Sequence, residues 1–197
     1  MNLVIFGPPG AGKGTQSKYI VNKYNLHQLS TGELLRNEIK NKTQLGLEIS
    51  SIMNLGQLVS DKIASNVIEK FISDNKYKNR LIFDGYPRNI AQAENLNNLL
   101  SKYMQKIDIV MKLSVSLDLI KKRISGRSVC SICGKIYNEY FNPAPLDSDC
   151  CSKKYLQKRS DDTLDIAVTR YETYEKNIKP VTDFYKKSNL LKVVNGE

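Results

Sequence analysis

A glycine-rich segment near the N-terminus carries the residue types that bind phosphate. The segment 7–15 (GPPGAGKGT) follows the apolar run 3–6, which we interpret as a buried parallel strand, and precedes a stretch of helical composition. In such a loop, backbone N–H groups turn toward a phosphate, and the following helix adds the positive end of its dipole. Lys13 supplies a mobile positive charge for the β- and γ-phosphates, and Thr15 a hydroxyl near Mg²⁺. Gly14 separates the two, whereas the general pattern places Ser or Thr directly after the lysine.

An acidic residue ends a second apolar run, at 80–84. We interpret this run as another buried strand, with Asp84 at its carboxyl end. A carboxylate in this position, close to a phosphate-binding loop, can hold Mg²⁺ through water.

Six arginines stand beside glycine, aspartate or loop signals rather than in the lysine-rich segments. The planar guanidinium group binds phosphate oxygens in a bidentate manner that lysine cannot reproduce. Phosphoryl transfer depends mainly on positioning and charge neutralisation and has little need of a general base, so a chain with a single histidine is suited to it. We interpret that histidine, His27, as a surface or packing residue. Any one such arginine is often only an exposed ion-pair partner. The six are Arg36, Arg88, Arg123, Arg127, Arg159 and Arg170.

All four cysteines lie between positions 130 and 151, which indicates a metal site more than disulfides in a chain without a signal-peptide pattern. A zinc ribbon would close with a second Cys-x-x-Cys, but position 153 is Lys153. Adjacent cysteine side chains tend to diverge, so we expect both to reach one metal only through a strained turn, and Asp147 or Asp149 could replace one of them. The sequence favours a structural Zn²⁺, with four reduced thiols in a metal-free segment as the alternative. The candidate ligands are Cys130, Cys133, Cys150 and Cys151.

Strand and helix patterns alternate along the chain and predict an α/β fold with a doubly wound parallel sheet. Further strands are expected at 107–113 and 190–194, and helices at 90–103 and 117–124. A capping box at Ser30 begins a helical insert over 30–59, whose second helix stops at Gly56, and Ser60 caps the next helix. A small β-rich insert follows Gly126.

Bulk properties limit the environment and the partners. The 197 residues carry a net charge of +10, which implies an anionic partner such as nucleic acid, a membrane surface or a small polyphosphate. Charge alone does not choose among these partners. No apolar run has membrane-spanning length, so we expect a cytoplasmic protein with no membrane partner. The absence of a long apolar heptad pattern favours a monomer.

Taken together, these motifs resemble the adenylate kinase family, in its long-lid bacterial form, over essentially the whole chain. Gly14 is the form found in nucleoside monophosphate kinases. The matching stretches are GPPGAGKGTQ (7–16), STGELLR (30–36), GQLVSD (56–61), DGYPRN with Gln92 (84–92), RISGR (123–127), KRSDD (158–162) and Arg170.

The resemblance implies the reaction Mg·ATP + AMP ⇌ 2 ADP and three regions. A core would comprise 1–29, 60–125 and 157–197, with an AMP-binding insert at 30–59 and a lid at 126–156. Asp84 and Thr15 would hold Mg²⁺ through water. Small nucleotides would be the partners, without nucleic acid.

The resemblance also implies residues for ATP and for the transfer step. Arg123 would stack on the ATP adenine, and Asp161 and Asp162 would orient the arginines. The implied ATP-binding residues are Gly10, Ala11, Gly12, Lys13, Gly14, Thr15, Arg123, Arg127, Ile136, Tyr137 and Glu197, and the implied catalytic residues are Lys13, Arg88, Arg127, Arg159 and Arg170.

For AMP, the resemblance implies that Thr31 lies near the adenine, that Arg36 and Arg88 hold the phosphate, and that Gln92 helps to hold the base. The implied AMP-binding residues are Thr31, Arg36, Gln57, Leu58, Val59, Gly85, Tyr86, Pro87, Arg88, Gln92, Arg159 and Arg170.

Two departures and two alternatives stand beside this interpretation. The Cys150–Cys151 pair departs from the family's zinc pattern, and the sequence ends at Glu197, where relatives usually continue into one more helix, so we expect a less stable form. The first alternative is a nucleoside monophosphate kinase with UMP or CMP as acceptor or GTP as donor, against which the long lid, Thr31 and Gln92 argue. The second is a nucleic-acid-binding P-loop ATPase, which needs aromatic residues interleaved with basic ones, and only Tyr137, Tyr140 and Phe141 offer these.

Overall fold

The computed structural model describes residues 1–55, 57–146 and 149–197. Its elements, in chain order, are β1 (Leu3–Phe6), α1 (Lys13–Tyr24), β2 (His27–Ser30), α2 (Thr31–Lys40), α3 (Gln44–Asn54), α4 (Asp61–Ile72), β3 (Leu81–Asp84), α5 (Ile90–Lys102), β4 (Ile109–Ser114), α6 (Leu117–Ser125), β5 (Arg127–Cys130), β6 (Ile136–Asn138), β7 (Leu156–Gln157), α7 (Leu164–Lys187) and β8 (Leu191–Asn195). Short 3₁₀ turns cover Asn75–Tyr77 and Lys153–Tyr155.

Five parallel strands form the central sheet, in the order β2-β3-β1-β4-β8. Successive residues of β1 point to opposite faces: Val4 and Phe6 enter one hydrophobic cluster, and Leu3 and Ile5 enter another. Helices α4 and α5 cover the first face, α1 and α6 cover the second, and α7 contributes to both. The predicted doubly wound α/β fold is therefore confirmed.

Polar N-cap residues fix where most of the helices begin. The side chains of Ser30, Thr43, Ser60, Asn89 and Thr163 each accept a hydrogen bond from the backbone N–H three residues further on. The caps expected at Ser30 and Ser60 are thus present. Gly56, where a helix was expected to stop, lies outside the described residues.

The segment that follows α6 forms a small sheet of its own. Strands β6, β5 and β7 pair antiparallel in that order. Its buried core is Cys130, Tyr137 and Cys151. The expected β-rich insert is therefore observed.

The sequence did not predict β2 or α7. Strand β2 contains only one buried apolar residue, Leu29, and lies at the edge of the sheet, where it is held by backbone pairing with β3. His27 on this strand packs edge-on against Tyr77, with ring centroids 4.8 Å apart, in agreement with the packing role expected for it. Helix α7 continues through Pro180, a residue that normally discourages a helix assignment.

Among the described residues, no helix is both long and apolar enough to cross a membrane.

Candidate functional site

The residues predicted to do chemistry meet at one edge of the central sheet. Because all five strands are parallel, the segments that follow β1, β2, β3 and β8 emerge on the same side. The glycine-rich loop follows β1, Thr31 begins α2 after β2, and Asp84 and Gly85 end β3.

The loop 7–15 has the geometry that its glycines permit. Gly10 has φ +81°, and a Cβ placed on it would lie 3.0 Å from the side chain of Ile124. Gly12 caps α1 in the left-handed conformation, with φ +92°. A side chain at either position would strain the backbone, and at Gly10 it would also press on α6.

Lys13 is held inside this loop. Its Nζ donates to the backbone carbonyl oxygens of Gly7 (2.7 Å) and Pro8 (3.0 Å). Burial lowers the pKa of Lys13 to about 8; the Asp84 carboxylate opposes this, and Arg88 adds to it. The ammonium group is therefore positively charged at neutral pH, with its pKa close enough to neutrality to respond to an added anion.

Asp84 faces the first turn of α1. Its side chain is buried, and Oδ2 accepts a hydrogen bond from Nε2 of Gln28 at 2.9 Å. A Cβ placed on Gly14 would lie 4.0 Å from the same oxygen, so the carboxylate lies against the loop next to Thr15. A carboxylate and a hydroxyl are the hard oxygen donors that Mg²⁺ prefers, directly or through water. The residues present fit a magnesium ion.

Arginines converge on the same place from several elements. Arg88 donates from Nε to the carbonyl oxygen of Gly85 at 2.6 Å. Burial and, after it, the neighbouring arginines lower the pKa of Arg88 and of Arg159 to about 10; the leading arginine is Arg170 for Arg88 and Arg127 for Arg159. Burial also lowers the pKa of Arg36. Burial is the largest cause of each shift, and the repulsion of neighbouring arginines adds to it.

Two aspartates hold two of these arginines. Asp162, 1% exposed, accepts both Nε (2.7 Å) and the terminal NH2 of Arg127 in a bidentate pair, and Asp161 accepts from NH1 of Arg170 at 2.5 Å. Burial would raise the pKa of Asp161, but Arg170, Arg36 and the other nearby arginines outweigh it, and the pKa lies below its usual value. Oδ1 of Asp161 is buried and accepts no hydrogen bond within the described residues.

A pocket between α2, α4 and the end of β3 collects eight of the twelve residues implied for AMP: Thr31, Gln57, Leu58, Val59, Gly85, Tyr86, Arg88 and Gln92. An adjoining pocket contains Pro87 and Arg170 together with Lys13 and Arg88, so it joins this region to the glycine-rich loop.

Several polar groups in the first pocket are already engaged. The Thr31 hydroxyl donates to the carbonyl oxygen of Gly85 at 2.9 Å. Gln92 donates from Nε2 to Asp61 at 2.6 Å and accepts the backbone N–H of Arg88 at 2.7 Å. Gln92 therefore ties Arg88 to α4 in addition to lining the pocket.

Arg123 links the glycine-rich loop to the end of the chain. It donates to the carbonyl oxygens of Ala11 (3.2 Å) and Gly196 (2.9 Å), and its guanidinium lies 5.8 Å from the ring centre of Phe141. The Glu197 carboxylate accepts the backbone N–H of Ser116 at 2.8 Å.

Of the two residues implied for ATP on β6, Ile136 is half-buried and Tyr137 is buried. The Tyr137 side chain packs among the cysteines rather than toward the loop. A nucleotide contact from Tyr137 would therefore come from its backbone.

The cysteine side chains converge, including those of the adjacent pair, which the sequence allowed to share one metal only through a turn. All four Sγ atoms lie within 4.8 Å of one another, with Cys130 and Cys150 at 3.9 Å and Cys133 and Cys151 at 3.5 Å. Residues 149–151 form a turn, and a turn can direct successive side chains to the same side. Four sulfurs around one Zn²⁺ at about 2.3 Å would be about 3.8 Å apart, so the donor set fits this metal. Asp149 lies outside this group, and Asp147 lies outside the described residues.

Sequence reasoning missed the residues that support the site. Gln28 holds Asp84, Asp61 holds Gln92, and Asn138 donates to the carbonyl oxygen of Arg123 at 2.7 Å. Asp61 ends the recognised motif GQLVSD (56–61), yet only Gln57, Leu58 and Val59 of that motif were predicted to bind AMP. Gln28 and Asn138 carry no local signal, because their partners are distant in sequence.

Comparison with known proteins shows the family of the chain. A sequence model of the adenylate kinase family matches residues 5–190. An adenylate kinase of Pelagibacter ubique is 47% identical over 196 residues, covering 100% of this chain and 92% of the relative. Adenylate kinases of Fusobacterium nucleatum (43% identical, 100% and 91% covered) and Thermodesulfovibrio yellowstonii (41%, 100% and 92%) are also similar. With its phosphate-binding loop, its arginine cluster and these relatives, the chain belongs to the adenylate kinase family of phosphotransferases.

Proposed function

We propose that this enzyme transfers the γ-phosphoryl group of Mg·ATP to AMP, giving two ADP, at the edge of the sheet where Lys13 and the arginines meet. One observation carries the proposal: buried positive charge exceeds buried negative charge there. Six cations, Lys13, Arg36, Arg88, Arg127, Arg159 and Arg170, share three carboxylates, Asp84, Asp161 and Asp162. Polyphosphate and monophosphate groups would supply the missing negative charge.

On the donor side, backbone N–H groups of Gly10 to Thr15 would surround the ATP phosphates, and Lys13 would contact the group that is transferred. The Lys13 ammonium uses the carbonyls of Gly7 and Pro8 for two of its three donors, which leaves one for a phosphate oxygen. Arg123 would stack on the ATP adenine. Ile136 and Tyr137 would contact ATP from the proposed lid, and Glu197 would contact it from the end of the core.

On the acceptor side, the pocket lined by Thr31 and Gln57 to Val59 would take the AMP base, and Arg36 and Arg88 would take its phosphate. The link from Gln92 to the backbone of Arg88 supports this assignment, because it couples the base pocket to the phosphate-binding arginine. The walls are largely nonpolar, as adenine requires.

During transfer, Arg127, Arg159 and Arg170 would neutralise the charge that spreads over the equatorial oxygens of the phosphoryl group. One arginine can contribute about 10³–10⁵ in rate in other phosphoryl-transfer enzymes. The bidentate hold of Asp162 on Arg127 fixes the plane of that guanidinium before substrate arrives. A lid at 126–156 and an AMP-binding insert at 30–59 would close over a core of 1–29, 60–125 and 157–197 and exclude water, so that ATP is not hydrolysed.

Asp84 and Thr15 would hold a magnesium ion through water. When bound, the ion would offset the negative charge of the phosphate groups.

The lid would also hold a structural Zn²⁺ on Cys130, Cys133, Cys150 and Cys151. The sulfur spacing supports this more than four free thiols, because the distances match those between the four sulfurs of a tetrahedral zinc site. We further propose that the enzyme acts as a monomer in the cytoplasm, with nucleotides rather than nucleic acid as partners.

A coupled assay of ADP formation tests the proposal, with AMP, UMP, CMP and GMP offered in turn as acceptors and ATP or GTP as donor. We expect turnover with ATP and AMP only, and a loss of at least about 100-fold in Arg88→Ala. Arg80→Ala is the matched control, because Arg80 donates to the carbonyl of Asn25 at the opposite end of β3, and it should retain activity.

Turnover with UMP or CMP, or with GTP, would replace the acceptor or donor that we propose. ATP loss that does not depend on any acceptor, together with salt-dependent binding of single-stranded DNA, would instead support the P-loop ATPase alternative.

A further inference from the structure

Gln28 is the supporting residue that the fold brings closest to the reacting groups. It lies on β2, an edge strand, and its register partner on β3 is Ile82, two residues before Asp84. Its Nε2 donates to Oδ2 of Asp84 at 2.9 Å and would lie 3.9 Å from a Cβ placed on Gly14. The amide is therefore wedged between the carboxylate and the start of α1.

Within the described residues, this amide is the one hydrogen-bond donor that reaches the Asp84 carboxylate; Oδ1 accepts no hydrogen bond. The carboxylate also lies in the field of two buried cations, because Asp84 raises the pKa of both Lys13 and Arg88. Neither cation is paired with it. Lys13 donates to loop carbonyls, and Arg88 donates to Gly85.

A neutral donor is suited to this task. It fixes the orientation of the carboxylate without reducing its negative charge, whereas an ion pair with Lys13 or Arg88 would consume both a metal-binding oxygen and a phosphate-binding cation. Without the amide, the carboxylate would be free to turn toward one of the two cations.

We propose that Gln28 is a positioning residue for magnesium: it holds Oδ2 of Asp84 so that the carboxylate would remain available to the ion and stay apart from Lys13 and Arg88. The inference rests on the proposed role of Asp84 in holding Mg²⁺.

Calorimetric titration of the enzyme with ATP tests this, once with saturating Mg²⁺ and once in EDTA. The measured quantity is the ratio of the two dissociation constants, which isolates the contribution of the metal. Gln28→Leu removes the donor at similar volume. We expect this ratio to fall about tenfold, as when second-shell partners of metal ligands are removed, with the affinity for metal-free ATP changed by less than about twofold.

Three further variants make the result decisive. Asp84→Asn should reduce the ratio at least as much, and Gln44→Leu, an exposed glutamine on α3, should leave it unchanged. Gln28→Asn keeps the amide but shortens the side chain by one methylene, so it should behave as Gln28→Leu, and it replaces that variant if thermal melting shows Gln28→Leu to be unfolded.

If Gln28→Leu weakens ATP binding equally with Mg²⁺ and in EDTA, the proposal is overturned and Gln28 has a purely structural role. An unchanged ratio would overturn it as well. If Asp84→Asn itself keeps the wild-type ratio, the placement of magnesium at Asp84 is wrong, and that failure is distinguishable from a failure of Gln28 alone.

Discussion

Lys13 shows how a single residue can be prepared for an anionic ligand. Burial disfavours its charged form, and the arginines around it do the same, while Asp84 alone opposes them. A nucleotide that places phosphates against Nζ would reverse this balance and raise the pKa of Lys13. Because the free-enzyme pKa is about 8, the charge state of Lys13 should change on binding at mildly alkaline pH.

We therefore predict proton uptake when Mg·ATP binds. At about pH 9 the free lysine is about nine-tenths neutral, so binding should take up close to one proton, and at about pH 7 almost none. Calorimetry in two buffers of different ionisation enthalpy measures this number. At the same pH of about 9, Lys13→Met with saturating nucleotide should take up only about two tenths of a proton, which Arg88 and Arg159 would supply sites for. The control Lys102→Met, which changes a surface lysine, should take up as many protons as the wild type. Full uptake in Lys13→Met would contradict the assignment.

The predicted site residues that the structure brings together share one property: residue type and sequence neighbours were enough to select them. The glycine-rich loop and Asp84 follow apolar runs, and the arginines stand beside turn residues. Residue type and sequence neighbours were therefore enough to predict that these residues belong to one site. Gln28 and Asp61 were missed because their partners, Asp84 and Gln92, are distant in sequence. Only the folded arrangement of strands and helices reveals such pairs.

At the scale of elements, the same distinction explains which parts of the fold were predictable. Strongly apolar strands such as β1 and β3 were evident, and so were helices that begin with a capping serine. Strand β2 was not, since its backbone pairing rather than its composition makes it a strand. The sequence also left open whether Cys150 and Cys151 converge, because this depends on the backbone direction in the turn at 149–151 rather than on spacing.

The contact between α2 and α3 is a close approach that a single methyl group would disrupt. A Cβ placed on Gly46 would lie 2.1 Å from the backbone carbonyl oxygen of Glu38, and this atom cannot move aside as a side chain would. Thr43, between the helices, donates from its backbone N–H to the same carbonyl at 3.2 Å. The two helices thus form a tight hairpin beside the pocket proposed for AMP.

We predict that Gly46→Ala separates the two helices and lowers the free energy of unfolding by about 1–3 kcal/mol. The same change should weaken the binding of AMP more than the binding of ATP. Denaturant melts measure the first effect, and separate titrations with AMP and Mg·ATP measure the second. Leu47→Ala, at the next and exposed position of α3, should change neither quantity appreciably. Equal weakening of both nucleotides would mean that the damage is not confined to this hairpin.

Over the whole molecule, burial is distributed unevenly. The central sheet has two extensive hydrophobic clusters, one on each face, whereas the separate sheet of β5, β6 and β7 has a cluster of three buried residues, two of which are cysteines. A core of this size contributes little against the conformational entropy of ordering its chain. A metal bound to the four sulfurs would close the loop between Cys133 and Cys150 and supply the missing stability.

We therefore predict that zinc removal unfolds the lid before the core. A mercurial reagent should release about one zinc per chain, detected with a metallochromic dye, and should lower the lid's melting temperature by at least about 5 °C. Limited proteolysis of the metal-free enzyme should cut within 126–156 and leave the sheet of β1–β4 and β8 intact. Cys133→Ser, the exposed ligand, should reproduce this behaviour, and Ser131→Ala, within the same knuckle, should not. If protein from zinc-replete medium contains no zinc yet melts as a single unit, the four cysteines are free thiols, and the stability of the lid must come from its packing against the core.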